Sequence, residues 1–163
     1  ISDTLLFRSP TCTKTDKEIA LELASIAGVD AEEFGLAMFK AGTSLVGKTI
    51  EEIYNQDYKV FNIGDAKVGI AQVNTMDIDG FAPLKGEMLE YMENLCVENG
   101  FDTAVLLLTD VINATSEVFV AGTHPEYVEN AFNVQLVEHE ANLPGVISRK
   151  KQVVPAITRA INA

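Results

Sequence analysis

The chain has 163 residues, of which 47% are hydrophobic and 22% are charged. These values are ordinary for one globular domain with a sizeable core, and they argue against a disordered chain. The formal net charge of -12 argues against general nucleic-acid binding, which needs a broad basic surface. No apolar run reaches the roughly 18 residues of a membrane-spanning helix, so we predict no membrane partner.

Cysteine usage and the first residues bear on the cellular setting. Cys12 and Cys96 lack the paired spacing of a zinc site or a redox motif, and two thiols need no disulfide. We therefore expect a reducing, cytoplasmic location. The chain begins at Ile1 with no polar leader, and we expect an upstream portion to be missing.

Two helices are predicted first along the chain. Thr15 begins a capping-box pattern, and Gly28 ends the helix that follows it. Asp30 begins a second helix, which Gly42 ends. Their predicted apolar faces comprise Ile19, Leu23 and Ile26 in the first helix, and Phe34, Ala37, Met38 and Ala41 in the second.

The pattern then changes from helical to extended. Thr49 begins another capping box and a short helix to about Asn55. Residues 58–63 and 68–73 predict a hairpin around a turn at Gly64. A helix is predicted over residues 84–99, with Gly100 as its C-cap.

The second half continues to alternate between strands and helices. The apolar run at 103–109 predicts a central strand covered on both faces, and 117–121 predicts another strand. Thr123 begins a capping box and a helix to about Phe132, 134–137 is a predicted short strand, and the last helix ends near Ile161. We therefore predict an α/β fold, a single domain with a mixed sheet of about five strands and helices on both faces.

The triplet Arg149-Lys150-Lys151 stands out in this acidic chain because it holds three of the 12 basic residues. It lies at a predicted strand-to-helix junction, where free N–H groups and the helix dipole favour an anion. Arginine offers a planar fork for phosphate oxygens and lysine offers a point charge. The alternative is a solvated run of surface charge, which the residues alone leave open.

The segment Ser148 to Pro155 resembles the C-terminal signature of family II inorganic pyrophosphatases, of the DHH phosphoesterase superfamily. The resemblance continues along essentially the whole chain in the same order. Other segments that carry it are 2–11, 24–29, 58–61, 71–75 and 109–110. A long collinear match is more specific than one short motif.

The resemblance implies roles for individual residues. Arg149 and Lys150 correspond to catalytic, phosphate-binding positions, and Lys59 to a third phosphate-binding position. Lys151 completes the motif and is included among the substrate-binding residues. Asp3 corresponds to one metal-ligand aspartate at the domain junction. Without the resemblance, Lys59 is typical of a solvated strand edge and Asp3 of a cap or turn.

The resemblance also implies cofactors, partners and domain organisation. It implies hydrolysis of pyrophosphate to two phosphates with Mn²⁺ or Co²⁺, and with Mg²⁺ also used, bound mainly by an N-terminal domain of the same protein. We expect residues 1–12 to be a junction segment, 13–163 to be the substrate-binding domain, and the chain alone to be inactive. The full-length protein is expected to be a homodimer, whereas this chain alone could be a monomer.

Two alternatives remain open from the sequence. One is an exopolyphosphatase of the same superfamily, acting on longer polyphosphate. The other is a stand-alone anion-binding regulatory domain without catalysis. Comparing phosphate release from pyrophosphate and from long polyphosphate tests the first alternative, and mass analysis of the native gene product tests the second.

Overall fold

The computed structural model describes residues 1–163, which form two compact units, Ile1–Ser44 and Leu45–Ala163. The first unit contains two helices and the second contains a five-stranded sheet with the remaining helices. The elements are α1 Lys14–Ala27, α2 Ala31–Gly42, α3 Ile50–Tyr54, β1 Tyr58–Ile63, β2 Ala66–Thr75, α4 Lys85–Asn99, β3 Thr103–Asp110, β4 Thr115–Gly122, α5 Glu126–Phe132, β5 Glu140–Pro144 and α6 Val154–Ile161.

Helix α1 begins two residues earlier than predicted. Thr13, and not Thr15, is its N-cap, and Thr13 and Asp16 form a capping box. Backbone and side-chain hydrogen bonds from Thr13 hold the pKa of Asp16 below its ordinary value. Gly28 ends the helix with a φ of 69°, a left-handed conformation that glycine adopts without strain.

The buried faces of the first unit also differ from the prediction. In α1 only Ala24 is buried, whereas the predicted apolar stripe is exposed. In α2 the buried residues are Ala31, Gly35 and Phe39, one turn apart along the helix, so the predicted face was wrong. A Cβ added at Gly35 would lie 2.1 Å from Leu6 Cδ2, so the close approach of the N-terminal segment selects this face.

The sheet of the second unit has the strand order β1-β2-β3-β4-β5. Strands β2 and β3 are parallel and are connected through α4, while the other pairs are antiparallel. All eight residues of β3 are buried, because core clusters cover both faces of this central strand. The predicted α/β class with a mixed five-stranded sheet is confirmed.

The two faces of the sheet are covered by different helices. Met88 and Met92 of α4, with Ile53 of α3, pack on one face. Val128 of α5 and Ile157 of α6 pack on the other face, which we call the α6 face. Burying apolar side chains on both faces is the main stabilisation available to such a sheet.

Two local predictions in the second half were wrong. Residues 134–137 do not form a strand; instead Val137 and Glu140 close a turn, and β5 follows it. Pairing with β4 selects β5, because Glu140 lies opposite Phe119 at one end of that ladder. Helix α5 begins after Pro125 without a side-chain cap, so Thr123 does not form the predicted capping box.

None of the helices combines the length and the apolar character that crossing a membrane requires. Along the chain, the first unit ends at Ser44 and the second begins at Leu45. The prediction that a substrate-binding domain covers 13–163 concerns a longer protein and stays a prediction.

Candidate anion-binding site

The basic triplet lies in one helical turn that leads directly into α6. Residues Arg149–Val153 form a π-helical turn, and α6 begins at Val154. Ser148 is the N-cap, and its hydroxyl accepts a hydrogen bond of 3.2 Å from the N–H of Lys151. The predicted position of the triplet at the start of the last helix is therefore confirmed, with a wider first turn than an α-helix has.

Two glutamines hold this turn against the sheet. Gln72 of β2 accepts from the N–H of Arg149 through Oε1 and donates through Nε2 to the carbonyl of Ile147, each at 3.0 Å. Gln152 accepts from the N–H groups of Ile147 and Ser148 and donates to a preceding carbonyl. Each amide uses its donor and acceptor ends together, so the backbone around the triplet is fixed in place.

A chain of buried hydroxyl groups extends this support across the sheet. Gln72 Nε2 donates to Thr109 Oγ1 of β3 at 3.0 Å, and Thr109 lies 2.9 Å from Ser116 Oγ of β4. The Ser116 hydroxyl donates to the carbonyl of Val146 at 2.6 Å. Gln72 of β2 and Ser116 of β4 therefore bond to the loop that carries the triplet, and Thr109 of β3 connects these two side chains.

Arg149 is the buried member of the triplet, with 7% of its surface exposed. Its Nη2 lies 2.6 Å from Asp57 Oδ1, and its Nη1 donates to the carbonyls of Asp57 and Ile70. A guanidinium has five N–H donors. These three contacts leave Nε–H and one N–H of Nη2 without an acceptor in the chain.

Lys150 and Lys151 are exposed, and neither belongs to an ion pair within the chain. The backbone N–H of Lys150 also has no acceptor, whereas those of its two neighbours donate to Gln72 and Ser148. Lys150 therefore offers an ammonium group and a backbone donor at the same helix start, which suits an anion.

Lys59 lies on β1, and the sheet brings it to the same region as Arg149. Its Cα partner on β2 is Ile70, whose carbonyl accepts from Arg149. Side chains of paired residues share one sheet face, and Ile70 lies on the α6 face. Asp57, the ion-pair partner of Arg149, precedes Lys59 by two residues.

Asp3, the predicted metal ligand, lies exposed in a turn of the first unit, apart in sequence from the triplet. No group of three or more His, Cys, Asp or Glu side chains is placed to hold a metal ion. One carboxylate does not make a centre for divalent ions, which take several oxygen or nitrogen ligands. The residues of this chain therefore do not fit a complete metal site.

Another groove of the second unit, of about 470 Å³, contains none of the predicted site residues. Glu117 and Glu140 line it, and their negative charges disfavour an anion. Lys85 pairs with both carboxylates, at 3.7 and 2.8 Å. The basic triplet is therefore the better candidate for binding phosphate oxygens.

Sequence reasoning did not assign roles to Asp57 and Gln72. The sequence feature that pointed to Asp57 was its position, since it is an acidic residue two positions before Lys59, a predicted phosphate-binding lysine. The feature that pointed to Gln72 was a large polar side chain inside the predicted strand 68–73, whose other residues are apolar. Both contacts span more than 70 residues of sequence, so local patterns do not show them.

A family model of the DHHA2 domain matches residues 36–160, which is more than half of the chain. The chain belongs to the DHHA2 domain family. The DHHA2 chain is 58% identical over 161 residues to a cobalt-dependent inorganic pyrophosphatase of Clostridium perfringens, covering 99% of this chain and 29% of that protein. It is 53% identical over 161 residues to a probable manganese-dependent inorganic pyrophosphatase of Clostridium acetobutylicum, covering 99% and 52%.

A solved structure has the same fold as the DHHA2 chain. It is a crystal structure of a Methanococcus jannaschii protein assigned to the family II inorganic pyrophosphatases, with a TM-score of 0.89 and 45% identity. The match covers 99% of this chain and 53% of that one. The resemblance to family II inorganic pyrophosphatases is thereby confirmed. The DHHA2 chain spans about half the length of the C. acetobutylicum and M. jannaschii proteins and less than a third of the C. perfringens protein.

Proposed function

We propose that this chain is the substrate-binding part of a longer inorganic pyrophosphatase and that it binds pyrophosphate at the basic triplet and Lys59. The observation that carries the proposal is the cluster of exposed, unpaired cations on a rigidly anchored helix start, in a chain of net charge -12. The names of the relatives support the same substrate.

Each residue has a proposed role that follows from its position. Lys150 binds a phosphoryl oxygen through its ammonium group and its free backbone N–H. Lys59 and Lys151 supply point charges beside it, and Arg149 supplies its two remaining guanidinium donors. Donors held in place before the reaction stabilise charge that develops on phosphoryl oxygens, at about 2.7–4 kcal/mol for a single group.

We propose further that the longer protein uses Mn²⁺ or Co²⁺, with Mg²⁺ also accepted, and that Asp3 supplies one ligand. The remaining ligands would come from an N-terminal domain of the same protein, so this chain alone is expected to be inactive. The longer protein is expected to be a cytoplasmic homodimer. These expectations rest on the resemblance and on the metals named for two relatives.

The first experiment is phosphate release from pyrophosphate by the 163-residue chain with Mn²⁺, repeated with the longer protein. We expect no release by the chain and clear release by the longer protein. Turnover by the chain alone would contradict the proposal that most of the metal ligands lie in another domain of the longer protein. Release from long polyphosphate but not from pyrophosphate would favour an exopolyphosphatase, and no release by either protein would favour a regulatory anion-binding domain.

The second experiment replaces Lys150. In the longer protein we expect K150A to lower kcat at least about a hundredfold, since removing one preorganised donor costs on the order of 10²–10³ in kcat. R159A is the control, because Arg159 is exposed on α6 and has no ion-pair partner in the chain. Unchanged kinetics in K150A would remove Lys150 from the site.

A further inference from the structure

The ion pair between Asp57 and Arg149 joins the two parts of the candidate site. Asp57 immediately precedes β1, which carries Lys59, and Arg149 opens the turn that carries Lys150 and Lys151. The two residues are 92 positions apart in sequence and their side chains meet at 2.6 Å. Besides the sheet itself, this contact directly links the start of β1 to the basic triplet.

Asp57 orients the guanidinium group of Arg149 as well as neutralising its charge. Asp57 contributes both a carboxylate oxygen and its backbone carbonyl, and Ile70 contributes a second carbonyl. Acceptors on both terminal nitrogens leave a planar group little freedom to rotate. The two N–H donors that remain therefore point in a direction set by Asp57.

The two partners are buried to different extents. The side chain of Arg149 is 8% exposed, and that of Asp57 is 53% exposed. An exposed carboxylate is a poor source of folding stability, because solvent screens it. It is, however, well placed to hold the orientation of a buried cation at the edge of a binding site.

We propose that Asp57 is a positioning residue for anion binding, which acts through Arg149 and aligns the donors of the triplet with Lys59. This inference rests on the proposed function and goes beyond it, because it assigns a role in binding an anion to a negatively charged residue. Simple electrostatics predicts the opposite, since removing a negative charge near a cationic site strengthens anion binding. The sign of the effect therefore tests the proposal.

The experiment is calorimetric titration of the 163-residue chain with metal-free inorganic pyrophosphate. We expect D57N to weaken binding by about tenfold or more, the equivalent of losing one charge-assisted hydrogen bond. D57E, which keeps the charge, is expected to recover part of the affinity. D65N is the matched control, because Asp65 is exposed at the other end of β1 and has no ion-pair partner, and its binding should be equal to wild type or slightly tighter.

The pathway through Arg149 is tested in a double variant. If Asp57 acts through Arg149, D57N adds no further loss of affinity in an R149M background. Equal or tighter binding by folded D57N, or a full additional loss in the double variant, would overturn the inference. K150A distinguishes a failure of the proposed site from a failure of the role of Asp57. If the wild type binds pyrophosphate no better than K150A, the proposed site is wrong and the inference about Asp57 is wrong with it. If K150A binds more weakly than the wild type but D57N binds more tightly, only the inference about Asp57 is wrong.

A measurement on the unmodified protein covers the case in which D57N does not fold. Nitrogen NMR of the Arg149 side chain reports whether its Nη protons stay hydrogen-bonded during titration with pyrophosphate. Persistence of the Asp57 bonds in the complex supports a positioning role. Loss of these bonds on binding would overturn it, because Asp57 would then compete with the anion for Arg149.

Discussion

At the residue scale, Tyr54 shows that tertiary packing can bury a hydroxyl group that has no hydrogen-bond partner. Tyr54 is fully buried in the core on the α4 side of the sheet, and its hydroxyl has no hydrogen-bond partner. Burial raises the pKa of Tyr54 well above its ordinary value. The aromatic ring gains contacts with Tyr58 and Tyr91, with centroids at 5.2 and 5.6 Å, so packing of the ring outweighs the unsatisfied oxygen.

The first prediction concerns this hydroxyl. Y54F keeps the ring and removes a buried polar atom that has no partner, so we expect stability to be unchanged or to rise by up to about 1 kcal/mol. Urea unfolding measures the change. Y91F is the control, because the Tyr91 hydroxyl accepts a hydrogen bond of 3.1 Å from Asn55 and its removal should not stabilise. Clear destabilisation of Y54F would indicate a partner for this hydroxyl that the structure lacks.

At the scale of elements, Gln72 connects β2 to the loop that carries the basic triplet. Q72E has nearly the same shape but replaces the donor amide with an acceptor, so the bonds to Thr109 and Ile147 are lost. We expect the free energy of unfolding to fall by about 2 kcal/mol and pyrophosphate binding to weaken in the same variant.

The matched control for Gln72 is Q135E, since Gln135 is exposed in a loop of the same unit. Denaturant unfolding and pyrophosphate titration of both variants provide the comparison. A Q72E protein with unchanged stability and affinity would show that the loop does not depend on this amide.

A second contact between elements, the ion pair of Lys85 with Glu140, predicts that the free energy of unfolding depends on pH. Lys85 at the start of α4 pairs with Glu140 of β5, and that hydrogen bond is the largest cause of a raised pKa for Lys85. A lysine whose pKa is raised by folding adds stability below its unfolded value, about 10.4, and this stability is lost as the pH rises through the folded value. The stabilisation is expected to be below about 1 kcal/mol, because both side chains are partly exposed.

The test compares the wild type with E140Q. The difference in unfolding free energy should be constant near neutral pH, should begin to fall above about pH 10.4, and should disappear once the pH exceeds the raised pKa of Lys85 in the folded protein. E138Q is the control, since Glu138 is exposed and has no ion pair. A difference that persists in strong alkali would have to arise from something other than the ion pair.

At the scale of the whole molecule, the two units differ in how much apolar surface they bury. In α1 one residue is buried, whereas every residue of β3 is buried. Ile19, Leu23 and Ile26 of α1 are 52%, 59% and 76% exposed, so this helix gains little from burial of its apolar face.

We therefore expect amide hydrogen exchange to be much faster in α1 than in β3. Local opening of α1 breaks few buried contacts, while exchange in β3 requires unfolding of the sheet core. Exchange followed by mass spectrometry or NMR measures both elements in one sample. Equal protection of the two elements would show that α1 is stabilised by contacts beyond those that bury Ala24.

The sequence alone was sufficient to predict most of the regular elements and the family. The periodicity of hydrophobic residues and the turn residues are local features of the sequence. They were enough to predict the hairpin at 58–73, helix α4 with its Gly100 cap and the buried strand β3. The family resemblance depended on the order of residues along the chain. The basic triplet was recognisable because positive charge is rare in this sequence.

Only the tertiary structure decided which faces are buried and what holds the triplet. The apolar face of α2 was mispredicted because the approach of Leu6 to Gly35 is a contact between distant residues. Strand β5 follows from pairing with β4, which overrides the local preference of 134–137. The hydrogen bonds of Asp57 and Gln72 with Arg149 span 92 and 77 positions, and no local pattern encodes such contacts, because they exist only once the sheet has assembled.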